Sequence, residues 1–552
     1  DAGIEDLPDT LQPPDAGPPP SPLIVVTSSA ESAAAGHAVL AEGGNAMDAA
    51  LTIALDQIVH SAGSWNSFAG ILGLVYVDGE TGATHALHAG YRVPAAETDA
   101  LTIPETGTPS GRTALVPGFM AGVEAAHARF GRVPFSRLFA PAIRDAEEGI
   151  VLSSTVATVI RQREDVLSRL PETRDVFLVD GVLPRSGERF RQPALAATLR
   201  AVANQGASYM YTGEWAERFV AQVQAEGGAL AASDLADYEA VWADPLCFAY
   251  HDNRICTLGA PDVGGVALAE SLLVAEAADV RGRGSYLESS DALYWLLRSQ
   301  QLGLWMVYLP QLLPESPTFF TDRLEGVEAS FDARLTRAQA EAVVGHVESG
   351  RFDRVLTEWS DAYEEFEARS HSDGIVVVDA EGNYVAMTHT INTSRFGTTG
   401  INVGGVSIPD SAAFQRGAVY LAGPGEPLPM ILNPAIVSRD GAVRLVATTI
   451  GNPHYAMVSH LHGILDLGLD AAEMVDTPIL DGDSPFQEFI RPGALAPGVL
   501  EEVRARGLPL REEAGIPRSF WLGISLGADG RTAGVTPSLS LVGGGVYPAD
   551  DG

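Results

Sequence analysis

His371-Ser372-Asp373 sets a base, a hydroxyl and an acid side by side. These are the residue types of a serine-hydrolase triad. Three consecutive side chains, however, point in different directions along a strand, so they cannot form a triad among themselves. No Gly-x-Ser-x-Gly elbow surrounds Ser372. Read from its neighbours alone, Ser372 is a surface serine ahead of a strand. Cys247 and Cys256 flank a stretch that reads as a hairpin, and with His251-Asp252 as a two-residue turn they lie opposite one another. A cross-strand disulfide, which would fit an oxidising compartment, and a pair of buried free thiols are both compatible with this pattern. Two cysteines without a nearby pair of histidines at ligand spacing argue against zinc, and no metal is expected. All 35 basic residues are arginine. The absence of lysine removes Schiff-base chemistry and the phosphate-loop lysine.

The elements that must position such residues follow from periodicity. Residues 23–26, 71–77 and 83–89 read as strands. Residues 30–42 and 46–60 read as helices, the second capped by Asn45 after Gly43-Gly44. Residues 116–149 are helical with breaks at Gly131 and Pro134, and 193–367 are mainly helical around the cysteine hairpin. Strands are expected at 374–379, 384–392, 435–438, 443–448, 521–525 and 532–535, with a helix at 455–467. The mixture suggests sheets covered by helices. Residues 1–22 are acidic and Pro-rich and read as a semi-extended, disordered tether, which suits an exported protein, periplasmic or extracellular. The net charge of −36 argues against nucleic acid and against an anionic membrane surface. No apolar run approaches the length that spans a bilayer.

The order of short motifs along the chain carries more. Ser28-Ser29, Glu42-Gly43-Gly44-Asn45-Ala46-Met47-Asp48-Ala49-Ala50, Val116-Pro117-Gly118, Pro141-Ala142-Ile143-Arg144, Tyr211-Thr212-Gly213-Glu214 and Gly264-Gly265 precede Val377-Val378-Asp379-Ala380-Glu381-Gly382-Asn383 and Thr388-His389-Thr390-Ile391-Asn392. In this order they resemble the γ-glutamyltranspeptidase family over nearly the whole ordered chain. The resemblance implies an α+β fold, the four-layer αββα sandwich of N-terminal-nucleophile (Ntn) hydrolases, made as a precursor that cuts itself into large and small subunits. The division would fall between His371 and Ser372, giving portions 23–371 and 372–552. Ser372 occupies the nucleophile position, where the family usually has Thr. Its hydroxyl would attack the carbonyl of His371, and the α-amine released, with an ordinary pKa of about 7.7–8.0, would then accept the hydroxyl proton. No cofactor is needed. The substrate is expected to be a small-molecule amide or peptide, γ-glutamyl or related, whose acyl group passes through Ser372 to water or an amine. By the same resemblance Thr390 orients the nucleophile, Asn392 binds the polar end of the substrate and Arg92 meets its α-carboxylate.

Several pocket motifs depart from the family. Its paired serines fall on Met430-Ile431. Its oxyanion glycines fall on His454-Tyr455, whose main-chain N–H groups remain as donors. Its acidic pair appears as Asp410 and Ala413, and its Gly-rich segment as Ser64-Trp65-Asn66-Ser67-Phe68-Ala69-Gly70. Losing hydroxyls that would hold a zwitterionic head shifts specificity towards a less polar acyl group, as in an acylase. The competing reading is a family fold without catalysis, kept for binding or scaffolding.

Overall fold

The computed structural model describes residues 21–312, 314, 318–360, 372–451, 453–482, 488–514, 519–527, 530–536 and 543–548. The tether expected at 1–22 and the residue His371 therefore lie almost wholly, and wholly, outside the described residues. Runs of β-branched and apolar residues form the strands of two large sheets. In chain order these are β1 (Leu23–Ser28), β2 (Ile71–Val77), β3 (Thr84–Ala89), β4 (Val241–Ala243), β5 (Leu246–Tyr250), β6 (Asn253–Thr257), β7 (Ser372–Val378), β8 (Tyr384–Thr390), β9 (Ala435–Arg439), β10 (Ala442–Ile450), β11 (Phe520–Gly527), β12 (Gly530–Thr536) and β13 (Gly543–Pro548). Expectation and structure differ most usefully at β7. It begins at Ser372, two residues earlier than the apolar run suggests, because β8 is long enough to pair that far.

The chain divides into two compact units, and neither follows the division at Ser372. One unit draws on Pro13–Asp244, Ser370–Pro429 and Ser538–Gly552. Its antiparallel sheet runs β13-β1-β7-β8-β2-β3-β4. Helices α1 (Ala30–Ala41) and α2 (Ala46–His60) pack on one face. Ile24, Val26, Leu72, Leu74, Ile375, Val377, Val385 and Met387 point into that helix-side core. α2 is buried on all sides except its last residue, which explains why its sequence is apolar all round. Asn45 starts it with a capping box, its side chain accepting from Asp48 N–H while Asp48 accepts from Asn45 N–H.

The other unit draws on Pro245–Arg369 and Met430–Pro537. Its antiparallel sheet runs β12-β11-β10-β9-β6-β5. Helices α3 (Gly264–Ala277), α4 (Ser290–Leu312) and α5 (Pro453–Leu461) share a core with Phe248, Ile255, Val437, Leu445 and Trp521. The β5–β6 hairpin turns at His251-Asp252, with His251 at φ 50°, and places Cys247 opposite Cys256. The two are joined in a disulfide. Among the described residues no helix is long and apolar enough to cross a membrane.

Candidate active site

Strand pairing builds the centre of the site. Thr390 ends β8 and lies directly opposite Ser372 on one side and Ile71 of β2 on the other. Directly opposed residues share a sheet face with Cβ atoms about 4.5–5.5 Å apart. Ser372 and Thr390 therefore meet on the face opposite the helix-side core. Ser372 is 6% exposed and Thr390 1%, so Ser372 is not the surface serine that its neighbours alone suggest.

Beyond Thr390 the chain reverses sharply. Asn392 adopts the left-handed conformation at φ 49°, which asparagine tolerates better than most residues. Its N–H donates to Thr390 Oγ1 at 3.0 Å and its Nδ2 to Gln415 Oε1 at 2.6 Å. Ile391 O accepts from Ser411 Oγ at 2.7 Å and Tyr91 Oη at 3.1 Å. Tyr91, Ser411 and Gln415 were not singled out in the sequence. They carry no motif of their own, and only the fold brings them to residues 390–392.

Gly70 shows how tight this corner is. A Cβ there would sit 2.5 Å from Thr390 O and 2.9 Å from Ser67 O, while Gly70 O accepts from the N–H groups of Gly118 and Phe119. Gly70→Ala must therefore displace the end of β8. We expect a stability loss of about 1–3 kcal/mol, read as a lower melting temperature. A variant with wild-type melting temperature would show that the corner yields freely.

Asp373 points to the helix side. It is buried, and its carboxylate accepts four hydrogen bonds. Thr27 Oγ1 (2.9 Å) and Ser28 Oγ (2.6 Å) donate to Oδ1, and Trp65 Nε1 (2.9 Å) and Asn66 Nδ2 donate to Oδ2. Burial pushes its pKa up to about 6, against the pull of all four bonds. The segment that replaces the family's glycines thus has work of its own, holding the residue after Ser372. Across β8, His389 places Nε2 2.9 Å from Gln57 Oε1, and burial keeps its ring neutral with a pKa near about 3.

The remaining expected residues of this unit are Arg92 and Asp410, and a partly buried ion cluster around His60 lies in the same unit. Arg92 is bridged through its backbone to Val116 and Pro427. Its Nη1 donates to Asp237 O at 2.7 Å and its guanidinium lies 5.5 Å from the Tyr238 ring centre. Asp410 is fully buried and accepts from Thr393 Oγ1 at 2.7 Å and from Thr398 Oγ1. Both its oxygens are thus engaged by the protein's own threonines. His60 Nε2 lies 3.1 Å from Asp145 Oδ2 and 3.5 Å from Asp56 Oδ2. Burial opposes charge on His60, but the two carboxylates outweigh it and raise its pKa, and Arg144 completes the ion cluster at Asp145.

His454 and Tyr455 belong to the other unit, in the first turn of α5. N–H groups of a first turn have no carbonyl acceptor within their own helix, which is the geometry of an anion-stabilising donor. The side chains do something else. His454 Nε2 lies 2.9 Å from Ser271 Oγ, and burial holds the imidazole neutral, down to about 3. Tyr455 Oη donates to Glu488 Oε1 at 3.5 Å, and burial pushes Glu488 up to about 8. Gly264, Ala267, Leu304, Val307, Tyr308, Ile431, Asn433 and His454 line a small cavity of about 10 Å³ in this unit, room for no more than a water.

Two helix-covered antiparallel sheets, with a buried hydroxyl opening a strand, define an Ntn-hydrolase fold of the α+β class. The crystal structure of cephalosporin acylase from Bacillus halodurans is similar over 99% of this chain and 99% of that one, with a TM-score of 0.77 at 20% identity. Residues 32–516 match the family model Gamma-glutamyltranspeptidase, and the chain belongs to that family. Similar curated relatives are the glutathione hydrolase proenzyme of Escherichia coli strain K12, 25% identical over 91% of this chain and 88% of the relative, and that of Pseudomonas aeruginosa, 28% identical over 86% of each. The chain is an amidohydrolase or acyltransferase of the Ntn class, an enzyme rather than a bare scaffold.

Proposed function

We propose that this enzyme is made as a precursor, cuts itself between His371 and Ser372, and then transfers acyl groups through an ester on Ser372 to water or an amine. The observation that carries this reading is the position of Ser372, buried at the start of β7 and directly opposite Thr390. In the cut form the α-amine of Ser372 takes the hydroxyl proton during attack and returns it to the leaving amine. Thr390 positions the hydroxyl by sharing its sheet face, and the Asn392 turn closes that end of the site. Arg92 is assigned to a substrate carboxylate, and Asn392 to a polar group. Asp410 acts indirectly, through the Thr393–Thr398 turn that it holds.

The substrate is a small amide. The relatives are named glutathione hydrolases, and a γ-glutamyl amide is the first candidate. One feature favours a less polar acyl group: at the positions where the family resemblance expects two hydroxyls stand Met430 and Ile431, both apolar. A γ-glutamyl anilide should therefore turn over more slowly than an anilide of an apolar acyl chain, by about 10-fold or more in kcat/KM. Efficient, low-KM turnover of the γ-glutamyl compound would reject the apolar reading and leave the nucleophile assignment standing. The disulfide supports export to an oxidising compartment, periplasmic or extracellular.

A further inference from the structure

Asp373 has no part in the chemistry just described, yet it is the most heavily hydrogen-bonded carboxylate beside the nucleophile. Its cage joins three separate stretches: the end of β1 (Thr27, Ser28), the loop between α2 and β2 (Trp65, Asn66) and the start of β7. The donors are not interchangeable. Asn66 Oδ1 accepts from Ser61 Oγ, which turns Nδ2 towards Asp373. Trp65 Nε1 can only donate. Thr27 Oγ1 already accepts from Gly374 N–H at 2.8 Å, so its own proton is directed at Asp373 Oδ1. Oδ2 thus faces two obligate N–H donors and Oδ1 two hydroxyl donors, and a carboxylate accepts at both oxygens. An amide could turn its oxygen to the N–H pair, but its own N–H groups would then meet the two hydroxyls, whose protons must turn away, and Thr27 Oγ1 already accepts from Gly374 N–H.

The same loop reaches the far end of the site. Trp65 O accepts from Ile391 N–H at 3.3 Å, and Ser64 O from Phe396 N–H. One carboxylate therefore couples the start of β7 to the loop that also holds the chain just after Thr390. A strand end that becomes a chain terminus on cleavage frays unless it is tied down. Ser372 becomes such a terminus, and the side chain of the next residue is what ties it.

We propose that Asp373 is a positioning residue for Ser372: its carboxylate, caged by Thr27, Ser28, Trp65 and Asn66, fixes the start of β7 for self-cleavage and keeps Ser372 in place afterwards. This rests on the assignment of Ser372 as nucleophile. Among the described residues no charged side chain is hydrogen-bonded to the carboxylate; His371, two positions earlier, lies outside them. Its cross-strand neighbour in β8 is His389, kept neutral by burial. α2 contributes Asp56 and His60; His60 pairs with Asp56 and with Asp145, and burial pushes Asp56 itself up to about 6, so the variants at Trp65 and Asp373 are what assign the acid limb. In α1 Glu31 is exposed and His37 binds Tyr547 O. β1 and the loop of residues 61–70 carry no titratable side chain. The shift of Asp373 to about 6 arises from burial, opposed only by the four hydrogen bonds. A raised carboxyl is charged above its folded pKa and protonates below it, so the cage is intact above about pH 6 and loses an acceptor as pH falls through that value.

The test is the pH dependence of self-cleavage in full-length chain made by cell-free synthesis and followed on a denaturing gel from about pH 5 to about pH 8. The uncut chain has no Ser372 α-amine, so that group cannot supply the acid limb. Wild type should cut with an acid midpoint near 6. Trp65→Phe keeps a ring but removes one bond to the charged form, and should move the midpoint upward by about half to one pH unit. Asp373→Asn, where circular dichroism shows it folded, should cut about 10-fold or more slowly and lack that limb. An unmoved midpoint in Trp65→Phe, or wild-type cleavage by folded Asp373→Asn, overturns the proposal while leaving Ser372 as nucleophile. Wild type that stays uncut at every pH overturns the nucleophile assignment itself, and this proposal with it.

Discussion

Ser372→Ala is expected to remain one uncut chain of 58.0 kDa and to lose amidase activity by about 10⁴-fold or more. Two losses coincide in it. The oxygen that attacks the His371 carbonyl is gone, so no N-terminal amine is released, and the oxygen that would carry the acyl group in turnover is the same one. Conservative replacements separate hydroxyl from shape. Ser372→Thr keeps the oxygen and adopts the residue usual in the family, so it should still cut and still turn over substrate, within about 10-fold of wild type. Intact-mass measurement reads the first effect and anilide hydrolysis the second. Cleavage of Ser372→Ala at wild-type rate would assign the cut to another agent.

Thr390→Val should be the next most damaging single change. Valine matches threonine in shape but offers no oxygen, so the buried N–H of Asn392 loses its acceptor at 3.0 Å. An unpaired buried donor costs about 1–3 kcal/mol, and here the cost falls on a left-handed residue that the hydrogen bond helps to hold. We expect self-cleavage and kcat each to fall about 10²-fold, the equivalent of about 2.7 kcal/mol, with melting lowered by only a few degrees. Thr390→Ser restores the oxygen and should recover most of the rate. Equal activity in Thr390→Val and Thr390→Ser would show that the hydroxyl is not used and that Thr390 contributes shape alone.

The sequence was most informative where local rules decide the structure. Asn45 ahead of an apolar run predicted α2 at its observed bounds. A β-branched run predicted β2 likewise, because a seven-residue buried strand is apolar throughout whichever neighbours it meets. Alternation placed β8 to within two residues. The reading was least informative at β7, whose polar opening, Ser372-Asp373, looks like a loop until the partner strand is known. It also treated the stretch from Ser64 to Gly70 as a loss. The local composition showed only missing glycines, whereas two of the new side chains bind a carboxylate 307 and 308 residues away in the chain.

By itself, then, the sequence determined the kinds of element, the absence of lysine chemistry, and the ordered motifs that give the family and point to Ser372. Those depend on residue type, spacing and order, which can be read along a line. Only the tertiary structure decided that Ser372 is buried against Thr390, that Asp410 is enclosed by threonines, and that Asp373 is caged by β1 and the loop after α2. Each of these depends on which strands become neighbours. Thr27 and Asp373 are 346 residues apart, and no local preference encodes their meeting. It follows from the pairing of β1 with β7, which is set by the burial of a whole sheet face.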